Sequence, residues 1–354
     1  MGLKILHSAD WHLDSPFAGF SERQRQLLKQ QQRQLPGKIA ALCRQENCDL
    51  VLLAGDLFDG RPSRDMVELV KKALTECEVP VLIAPGNHDF CDSASPWMTE
   101  SWPENVYIFR GALEAVSIQG LDCRVYGAGF RSMDCESILE GFRSEGEEAY
   151  RIALFHGDPV QSHSPYNAVT VSQVKHSGLH YLALGHVHKA GAFRSGDTLC
   201  AWPGCPMGRG WDEIGEKGVC IVTLEEEVRI QAVSLDTLRF YDLEVNVGEN
   251  AREALEAALP ATASEDFYRI RLSGDGPVDL ESLRRRFAAF PNLELRDETL
   301  PPLDIWADAD EDSLEGIYFG MLKKAMETNP EQAEQIQLAA EISRKLISGR
   351  EVIL

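Results

Sequence analysis

The clearest structural signal in the sequence is Asp49-Leu50-Val51-Leu52-Leu53-Ala54-Gly55-Asp56-Leu57-Phe58-Asp59. Its apolar run, residues 50–54, is long enough for one buried strand and is stopped by Gly55. Asp56 then stands at the carboxyl end of that strand, where open α/β sheets place their ligand chemistry. A single Gly-Asp pair more often starts a loop or caps a helix, so Asp56 becomes a site candidate only if the pattern recurs.

The pattern recurs at four other apolar runs, each of which ends in Asp, Asn or His. Residues 4–9 lead to Asp10 and His12, residues 79–85 to Asn87 and His88, residues 151–155 to His156, and residues 181–184 to His186 and His188. Strand and helix patterns alternate over residues 1–90, which predicts a right-handed, mainly parallel arrangement. The ends of these strands should therefore share one edge of the protein.

Other elements follow from periodicity and from Gly and Pro. Helices are predicted at 21–45 and 64–77, and Pro36-Gly37 is expected to kink or split the first. Short strands at 106–109, 115–118 and 123–126 suggest antiparallel hairpins of a second sheet. A short helix is predicted at 137–146, and a closing hairpin at 218–224 and 229–235.

The pattern changes near Leu238, and a length of 354 residues suggests about two domains. Strand and helix patterns over 238–295 predict a small βαβαβ unit, and two helices are predicted at 314–327 and 330–348. We therefore divide the chain into a catalytic domain (1–236), a small α+β domain (237–302) and a helical tail (303–354).

Composition limits the choice of partners and of compartment. The net charge of -21 counts against a nucleic acid held by general electrostatics. The helix at 21–45 is the exception, since its basic residues form either a binding patch or a plain solvated face. Nine cysteines without a CxxC pair indicate reduced thiols, and neither a signal peptide nor an apolar run of about 20 residues is visible. The expected location is the cytoplasm, without membrane contact.

The residues at the strand ends form a set of oxygen and nitrogen ligands without thiolate. Such a set suits manganese, iron, zinc or cobalt better than calcium, and it argues against a structural zinc site. Two ions about 3.5 to 4 Å apart need one bridging carboxylate and about three further ligands each. Asp10, His12, Asp56, Asn87, His156, His186 and His188 fit that count.

These residues also carry a family resemblance. Asp10-x-His12, Gly55-Asp56-x-x-Asp59, Gly86-Asn87-His88-Asp89, His156 and Gly185-His186-x-His188 resemble, in order, the five sequence blocks of the calcineurin-like metallophosphoesterases. The resemblance implies a four-layer α/β/β/α sandwich with the site on one edge. It also implies that Asp10, His12, Asp56 and His188 hold one metal, that Asp56, Asn87, His156 and His186 hold the other, and that Asp56 bridges them.

A mechanism can be predicted from this site. A hydroxide between two dications is nucleophilic near neutral pH and would attack phosphorus in line with the leaving oxygen. His88 is expected to stabilise or protonate the leaving group, oriented by Asp59. The remaining histidines, His7, His163, His176 and His180, are interpreted as structural, and Asp14 and Asp89 as loop or supporting groups.

The segment after His188 narrows the family resemblance to one branch. Pro203-Gly204-x-Pro206-x-Gly208-Arg209 and Glu213-x-Gly215-Glu216-Lys217-Gly218 are similar to the DNA repair exonuclease branch with its SbcD-like and YhaO-like proteins. That resemblance implies that residues 237–302 form a capping domain, that manganese is the metal, and that the protein is a homodimer. It also implies a coiled-coil ATPase partner of the SbcC-like type, docked partly through the C-terminal helices, although those helices could equally pack only on each other.

Three functions remain open. The first is a metal-dependent DNA exo- or endonuclease of the double-strand-break repair type, and the second is a phosphatase or phosphodiesterase acting on a small molecule or a protein. The third, a scaffold without catalysis, conflicts with the complete ligand set and with His88. For a nuclease, the expected phosphate contacts are Arg131, Lys189, Arg194, Arg209 and Lys217, with Trp211 as a stacking surface.

Overall fold

A computed structural model describes residues 2–248, 250–300, 303–350 and 352. The chain forms two compact units. The first runs to Tyr241 and includes Glu265–Phe267, and the second contains Asp242–Ser264 and continues from Tyr268. The three-part division at residues 236 and 302 stays a prediction.

The first unit contains two six-stranded sheets and four helices. Its strands are β1 (Leu3–Ser8), β2 (Leu50–Leu53), β3 (Val81–Ile83), β4 (Val106–Ile108), β5 (Glu114–Ile118), β6 (Cys123–Gly127), β7 (Tyr150–His156), β8 (Tyr181–Gly185), β9 (Gly191–Ser195), β10 (Thr198–Trp202), β11 (Gly218–Leu224) and β12 (Val228–Ser234). Its helices are α1 (Glu22–Gln45), α2 (Arg64–Thr75), α3 (Pro96–Thr99) and α4 (Val171–His176).

The first sheet has the strand order β12-β11-β1-β2-β3-β4. Strands β1 to β4 are parallel, and β11 and β12 close the sheet as the predicted antiparallel hairpin. The second sheet has the order β5-β6-β7-β8-β10-β9, with β6, β7, β8 and β10 parallel. The parallel strands of both sheets therefore bring their carboxyl ends to an edge, as the sequence predicts.

The layers follow from the alternation of side chains along each strand. In β2, Leu50 and Leu52 pack between the two sheets, whereas Val51 and Leu53 pack under α1 and α2. On the second sheet, Leu154 faces the first sheet, while the neighbouring Phe155 packs in the outer cluster with α4. Two sheets covered by helices on both outer faces confirm the α/β/β/α sandwich.

Three local predictions fail for identifiable reasons. Helix α1 was predicted to be kinked or split at Pro36; it is not split, because Leu35 and Ile39 are fully buried against the first sheet and hold the helix together. Strand β4 joins the first sheet in parallel instead of a hairpin of the second. No helix forms at 137–146, because Ser137 Oγ donates to Ala168 O and Ile138 N donates to Asn167 Oδ1, which ties the segment to a loop. The β9–β10 hairpin was not predicted.

His7 lies between the two sheets as a structural residue. Its Nδ1 is 2.7 Å from the Tyr181 hydroxyl, and its Nε2 is 3.0 Å from the carbonyl oxygen of Leu184. The ring is fully buried, so both nitrogens need these partners. The interpretation of His7 as a packed, hydrogen-bonded histidine is confirmed.

The second unit contains β13 (Phe240–Asn246), α5 (Ala251–Ala258), β14 (Phe267–Ser273), α6 (Leu280–Arg286), β15 (Leu293–Asp297), α7 (Leu314–Thr328) and α8 (Ala333–Ile347). Strands β13, β14 and β15 form one sheet in that order, and the first residues of β13 and β14 belong to the first unit. Helices α7 and α8 pack around Phe319, with the guanidinium of Arg344 3.8 Å above its ring. Among the described residues, no helix is both long and apolar enough to cross a membrane.

Candidate metal centre

The candidate residues lie at one edge of the sandwich because each follows or ends a parallel strand. Asp10 and His12 follow β1, Asp56 and Asp59 follow β2, Asn87 and His88 follow β3, His156 ends β7, and His186 and His188 follow β8. Strands from both sheets contribute, so the site lies where the two sheets meet. Residues far apart in the chain are thereby brought within a few ångströms of each other.

One group of ligand atoms comes from Asp10, His12 and His188, whose nearest donor atoms lie within 4.8 Å of one another. The Nε2 atoms of His12 and His188 are 3.2 Å apart. Asp56 Oδ2 lies 3.7 Å from His12 Nε2, which connects this group to the carboxylate predicted to bridge. All four residues predicted for the first metal are therefore close together.

A second group comes from Asp10, Asp56 and His156. His156 Nε2 is 3.3 Å from Asp56 Oδ2 and 2.9 Å from Asn87 Oδ1. Asp56 therefore lies between the two groups. The Asp56 side chain is held in this position by the backbone amide of His88, which donates to Asp56 Oδ1 at 2.9 Å.

His186 is the least closely placed of the seven candidates. Its backbone amide donates to both oxygens of Asp10 at 3.0 and 3.1 Å, and its ring meets the His156 ring edge-on at 5.2 Å. Its Nε2 lies 3.9 Å from Asp158, a buried carboxylate that sequence reasoning missed. Asp158 follows His156 by two residues, and that spacing at a strand end was the available signal.

The backbone is strained at four of the seven candidates. Asp10, His12, Asp56 and His186 have φ angles of 55°, 44°, 51° and 94°, a region that residues other than glycine rarely adopt. Each such residue costs about 1–3 kcal/mol and persists only where the surroundings hold it. At His12, Gln32 Nε2 and Ser15 Oγ both donate to the carbonyl oxygen at 2.7 Å. The fold thus maintains a strained backbone conformation that positions these side chains.

The hydrogen bonds of the histidines show that the donor set fits metal ions. His156 Nδ1 donates to Ala54 O at 2.8 Å, so its Nε2 is the ring nitrogen that faces the oxygens of Asp56 and Asn87. His12 Nδ1, which has no hydrogen-bond partner in the described chain, lies 3.7 Å from Asp59 and turns Nε2 toward His188. Imidazole nitrogens and carboxylate oxygens that converge in this way form a donor set that suits dications.

The titration behaviour of His156 agrees with that arrangement. Burial alone lowers the pKa of His156, but the carboxylates of Asp56 and Asp10 outweigh it and raise that pKa to about 9. Burial also raises the pKa of Asp10, whereas His156 and other histidines hold the pKa of Asp56 below its usual range against the effect of burial. A positive charge in this cluster is therefore strongly favoured.

Glu213 supports His188 and was not recognised as a site residue from the sequence. Its carboxylate is buried and accepts from His188 Nδ1 at 2.7 Å and from Arg209 Nη2 at 2.7 Å. This contact fixes the His188 tautomer with Nε2 toward His12. The only sequence signal was its place in the segment after Arg209, whose spacing alone assigns no role.

Asp59 and His88 form a pair at the ligand cluster, and a ring nitrogen of His88 lies within 4.8 Å of ligand atoms of His12 and Asp56. Asp59 Oδ1 accepts from His88 Nδ1 at 3.2 Å, and Ser15 Oγ donates to Asp59 Oδ2 at 3.0 Å. The hydrogen bond to Asp59 raises the pKa of His88, although partial burial opposes it. The His88 side chain is 43% exposed, so it is accessible to a substrate.

Four further residues, to which the sequence analysis assigned supporting or DNA-binding roles, match those roles to different degrees. Asp89 accepts from the amides of Leu57 and Gly86 at 2.8 Å, and Asp14 accepts from Ser63 at the start of α2, so both are loop groups as interpreted. Arg194 is misplaced for a phosphate contact at this edge, because it pairs with Leu199 near the start of β10, at the opposite end of the sheet. Trp211 packs edge-on against Phe240 at 5.3 Å, so its ring contributes to the core.

Comparison with known proteins agrees with this geometry. Residues 3–190, more than half of the chain, match the family model of the calcineurin-like phosphoesterases. The chain belongs to that family. The matched segment contains all seven candidate ligands together with Asp59 and His88.

Three relatives indicate where in the family the chain lies. It is 30% identical over 234 residues to YhaO, an uncharacterised metallophosphoesterase of Bacillus subtilis (strain 168), an alignment that covers 62% of this chain and 57% of YhaO. It is 21% identical over 363 residues to SbcD, a subunit of the nuclease SbcCD, of Staphylococcus epidermidis, covering 90% and 93%. It is 27% identical over 280 residues to the DNA double-strand break repair protein Mre11 of Aeropyrum pernix, covering 70% and 64%. The chain thus spans less than two thirds of YhaO and of Mre11.

Proposed function

We propose that this phosphoesterase is a two-metal DNA exo- or endonuclease of the double-strand-break repair type. One observation carries the proposal. The Nε2 atoms of His12 and His188 are 3.2 Å apart. Asp56 Oδ2 lies 3.7 Å from His12 Nε2 and 3.3 Å from His156 Nε2. Imidazole nitrogens and carboxylate oxygens gathered at these separations are a donor set that suits dications. Family membership and the Asp59–His88 pair add support.

Asp10, His12, Asp56 and His188 would hold one ion, and Asp56, Asn87, His156 and His186 the other. Bound dications lower the pKa of water and so supply a nucleophile near neutral pH. Among the four elements Mn, Fe, Zn and Co, we favour Mn²⁺ by analogy with the nuclease branch. The absence of cysteine from the ligand groups of the described residues agrees with that choice.

His88 would act on the leaving group. Its Nδ1 is bound to Asp59, so its Nε2 is the atom left to donate a proton or a hydrogen bond to the departing oxygen. Its ring lies 4.7 Å from the His12 ring, which places this donor directly beside the ligand cluster. Asp59 orients the ring, and Ser15 in turn holds Asp59.

The relatives support DNA as substrate and a complex as the working form. One relative, whose alignment covers 90% of this chain, is a subunit of a nuclease, and another is a DNA repair protein. On α7, Leu314, Ile317 and Met321 are 87%, 53% and 68% exposed and lie three or four residues apart, on one helix face. Such a face is suited to an apolar helical partner, and we propose a coiled-coil ATPase of the SbcC-like type.

We further propose that the protein is a homodimer. We place it in the reducing cytoplasm, because all nine cysteines are free thiols.

The test is an assay of the manganese-loaded protein with single- and double-stranded DNA, a cyclic nucleotide and a chromogenic phosphodiester. DNA cleavage that is lost on chelation and restored by Mn²⁺ supports the proposal. Turnover of the chromogenic ester or the cyclic nucleotide without DNA cleavage would favour a small-molecule phosphodiesterase, to which the net charge of -21 is better suited.

A further inference from the structure

Helices α1 and α2 pack side by side and leave a groove on the outer surface of the first unit. The groove has a volume of about 470 Å³ and is lined by small and apolar residues together with three basic residues and one acidic residue. We define the α1–α2 groove by the lining residues Gly37, Ala41 and Ala73, the basic Arg33, Lys38 and Lys72, and the acidic Glu76.

The groove is basic in a protein that is otherwise strongly acidic. Helix α1 carries six basic residues and one acidic residue, whereas the whole chain has 35 basic against 56 acidic residues. Glu22, the acidic residue of α1, pairs with Arg25 at its first turn. Within the described ranges, neither Lys29 nor Arg33 forms a salt bridge, and both are exposed. On a surface that otherwise repels polyanions, such a concentration of basic side chains attracts an anionic partner.

The groove continues toward the metal centre. A second cavity of about 490 Å³ shares Arg33 with the groove and is also lined by Lys29, Arg61 and Asp14. Arg61 follows Asp59 by two residues, and Asp14 follows His12 by two. Lys29 also lies one helical turn from Gln32, whose amide holds the His12 carbonyl. The basic surface therefore reaches the loops that carry the site.

We propose that the α1–α2 groove binds the phosphodiester backbone of DNA and leads it to the metal centre. This proposal rests on the proposed nuclease function and adds the path of the substrate. Lys29 and Arg33 are four residues apart on one face of α1, about 6 Å along the helix, and this length matches about two nucleotide steps of a strand. Because the rest of the surface repels polyanions, a local basic path is what a nuclease with this net charge requires.

The test compares two charge-reversed proteins with the wild type, all loaded with metal. The first carries Lys29→Glu and Arg33→Glu. The second carries Arg143→Glu and Lys175→Glu, which change the net charge equally but lie on the other side of the sandwich, near α4. Binding to a fluorescent DNA duplex with a phosphorothioate backbone, which resists cleavage and keeps its charges, is measured by anisotropy over a range of salt concentrations. Thermal unfolding checks that all three proteins are folded.

We expect the first variant to bind at least about tenfold more weakly at low salt, and the slope of log K against log salt to fall by about 2, because each phosphate contact contributes about 0.9. The second variant should lose much less affinity and keep the slope. Equal binding by both variants, or no binding by the wild type, would overturn the proposal. Cleavage of ordinary DNA is followed separately, so a protein that binds through the groove but never cleaves would refute the nuclease and leave the groove in place.

Discussion

Asp59 Oδ1 lies 3.2 Å from His88 Nδ1, so a carboxylate outside the ligand cluster holds the one exposed imidazole beside it. This contact fixes which nitrogen of His88 faces a substrate. It also stabilises the protonated ring, which is the form that can assist a leaving group.

Replacement of His88 by alanine should therefore separate metal binding from catalysis. We expect His88→Ala to bind two metal ions with unchanged affinity but to lose at least about 100-fold in kcat, the usual contribution of a positioned acid. Calorimetric metal titration and kinetics on a chromogenic phosphodiester measure the two effects. His176→Ala, an exposed histidine on α4, is the matched control and should keep full activity. Full activity of His88→Ala would remove this residue from the mechanism.

The Asp59→Asn variant tests the link between the pair and pH. The hydrogen bond to Asp59 is the main cause of the raised pKa of His88, so its loss should lower that pKa. Activity that needs protonated His88 would then decline at a lower pH than in the wild type. The alkaline limb of the profile of kcat against pH should therefore move to lower pH. An alkaline limb that does not move would show that it reports another group.

Glu213 should matter for metal affinity although it contacts no metal. Replacing its carboxylate by an amide in Glu213→Gln removes the charge that holds His188 Nδ1 and Arg209. Loss of such a support typically costs 10–100-fold in metal affinity, so we expect one of two binding steps to weaken by about that factor. Glu216→Gln, three residues away and 70% exposed, should leave both steps unchanged. If the two variants bind metal alike, the support from Glu213 is dispensable.

Gly86 is required by the close approach of its backbone to Asp56. A Cβ atom at this position would lie 2.2 Å from Asp56 Oδ1, which is far inside contact distance. We expect Gly86→Ala to destabilise the fold by about 1–3 kcal/mol and to displace the carboxylate, with a loss of metal affinity. Gly19→Ala, where a Cβ would meet nothing within 4 Å, is the control, and denaturant unfolding with metal titration measures both. Unchanged metal binding in Gly86→Ala would show that Asp56 can shift without loss.

His7 should make stability depend on pH. Burial lowers the pKa of His7 to about 3, below the usual 6.5. Between these two pH values, His7 is neutral in the folded protein but protonated in the unfolded chain. Stability should therefore be unaffected above pH about 6.5 and fall by about 1.4 kcal/mol per pH unit as the pH drops toward 3. Urea unfolding of wild type and His7→Gln across this window should show the smaller slope in the variant. Equal slopes would contradict the contribution of His7.

The sequence predicted the strand ends and the residue types of the site because both are local properties. An apolar run that ends in Asp, Asn or His is visible in a few consecutive residues, and the parallel arrangement places such ends at one edge. The sandwich and the seven gathered side chains follow from that pattern together with the family resemblance.

Only the tertiary structure decided which partners meet. Glu213 reaches His188, and Gln32 reaches the carbonyl of His12, through contacts between segments that no local pattern links. The same holds for the placement of β4 in the first sheet and for the intact helix at Pro36, where packing outweighs local preference. Local sequence determines which side chains stand at the end of each strand. Long-range strand pairing and burial determine which supporting contacts form, and these contacts maintain the strained backbone at the site.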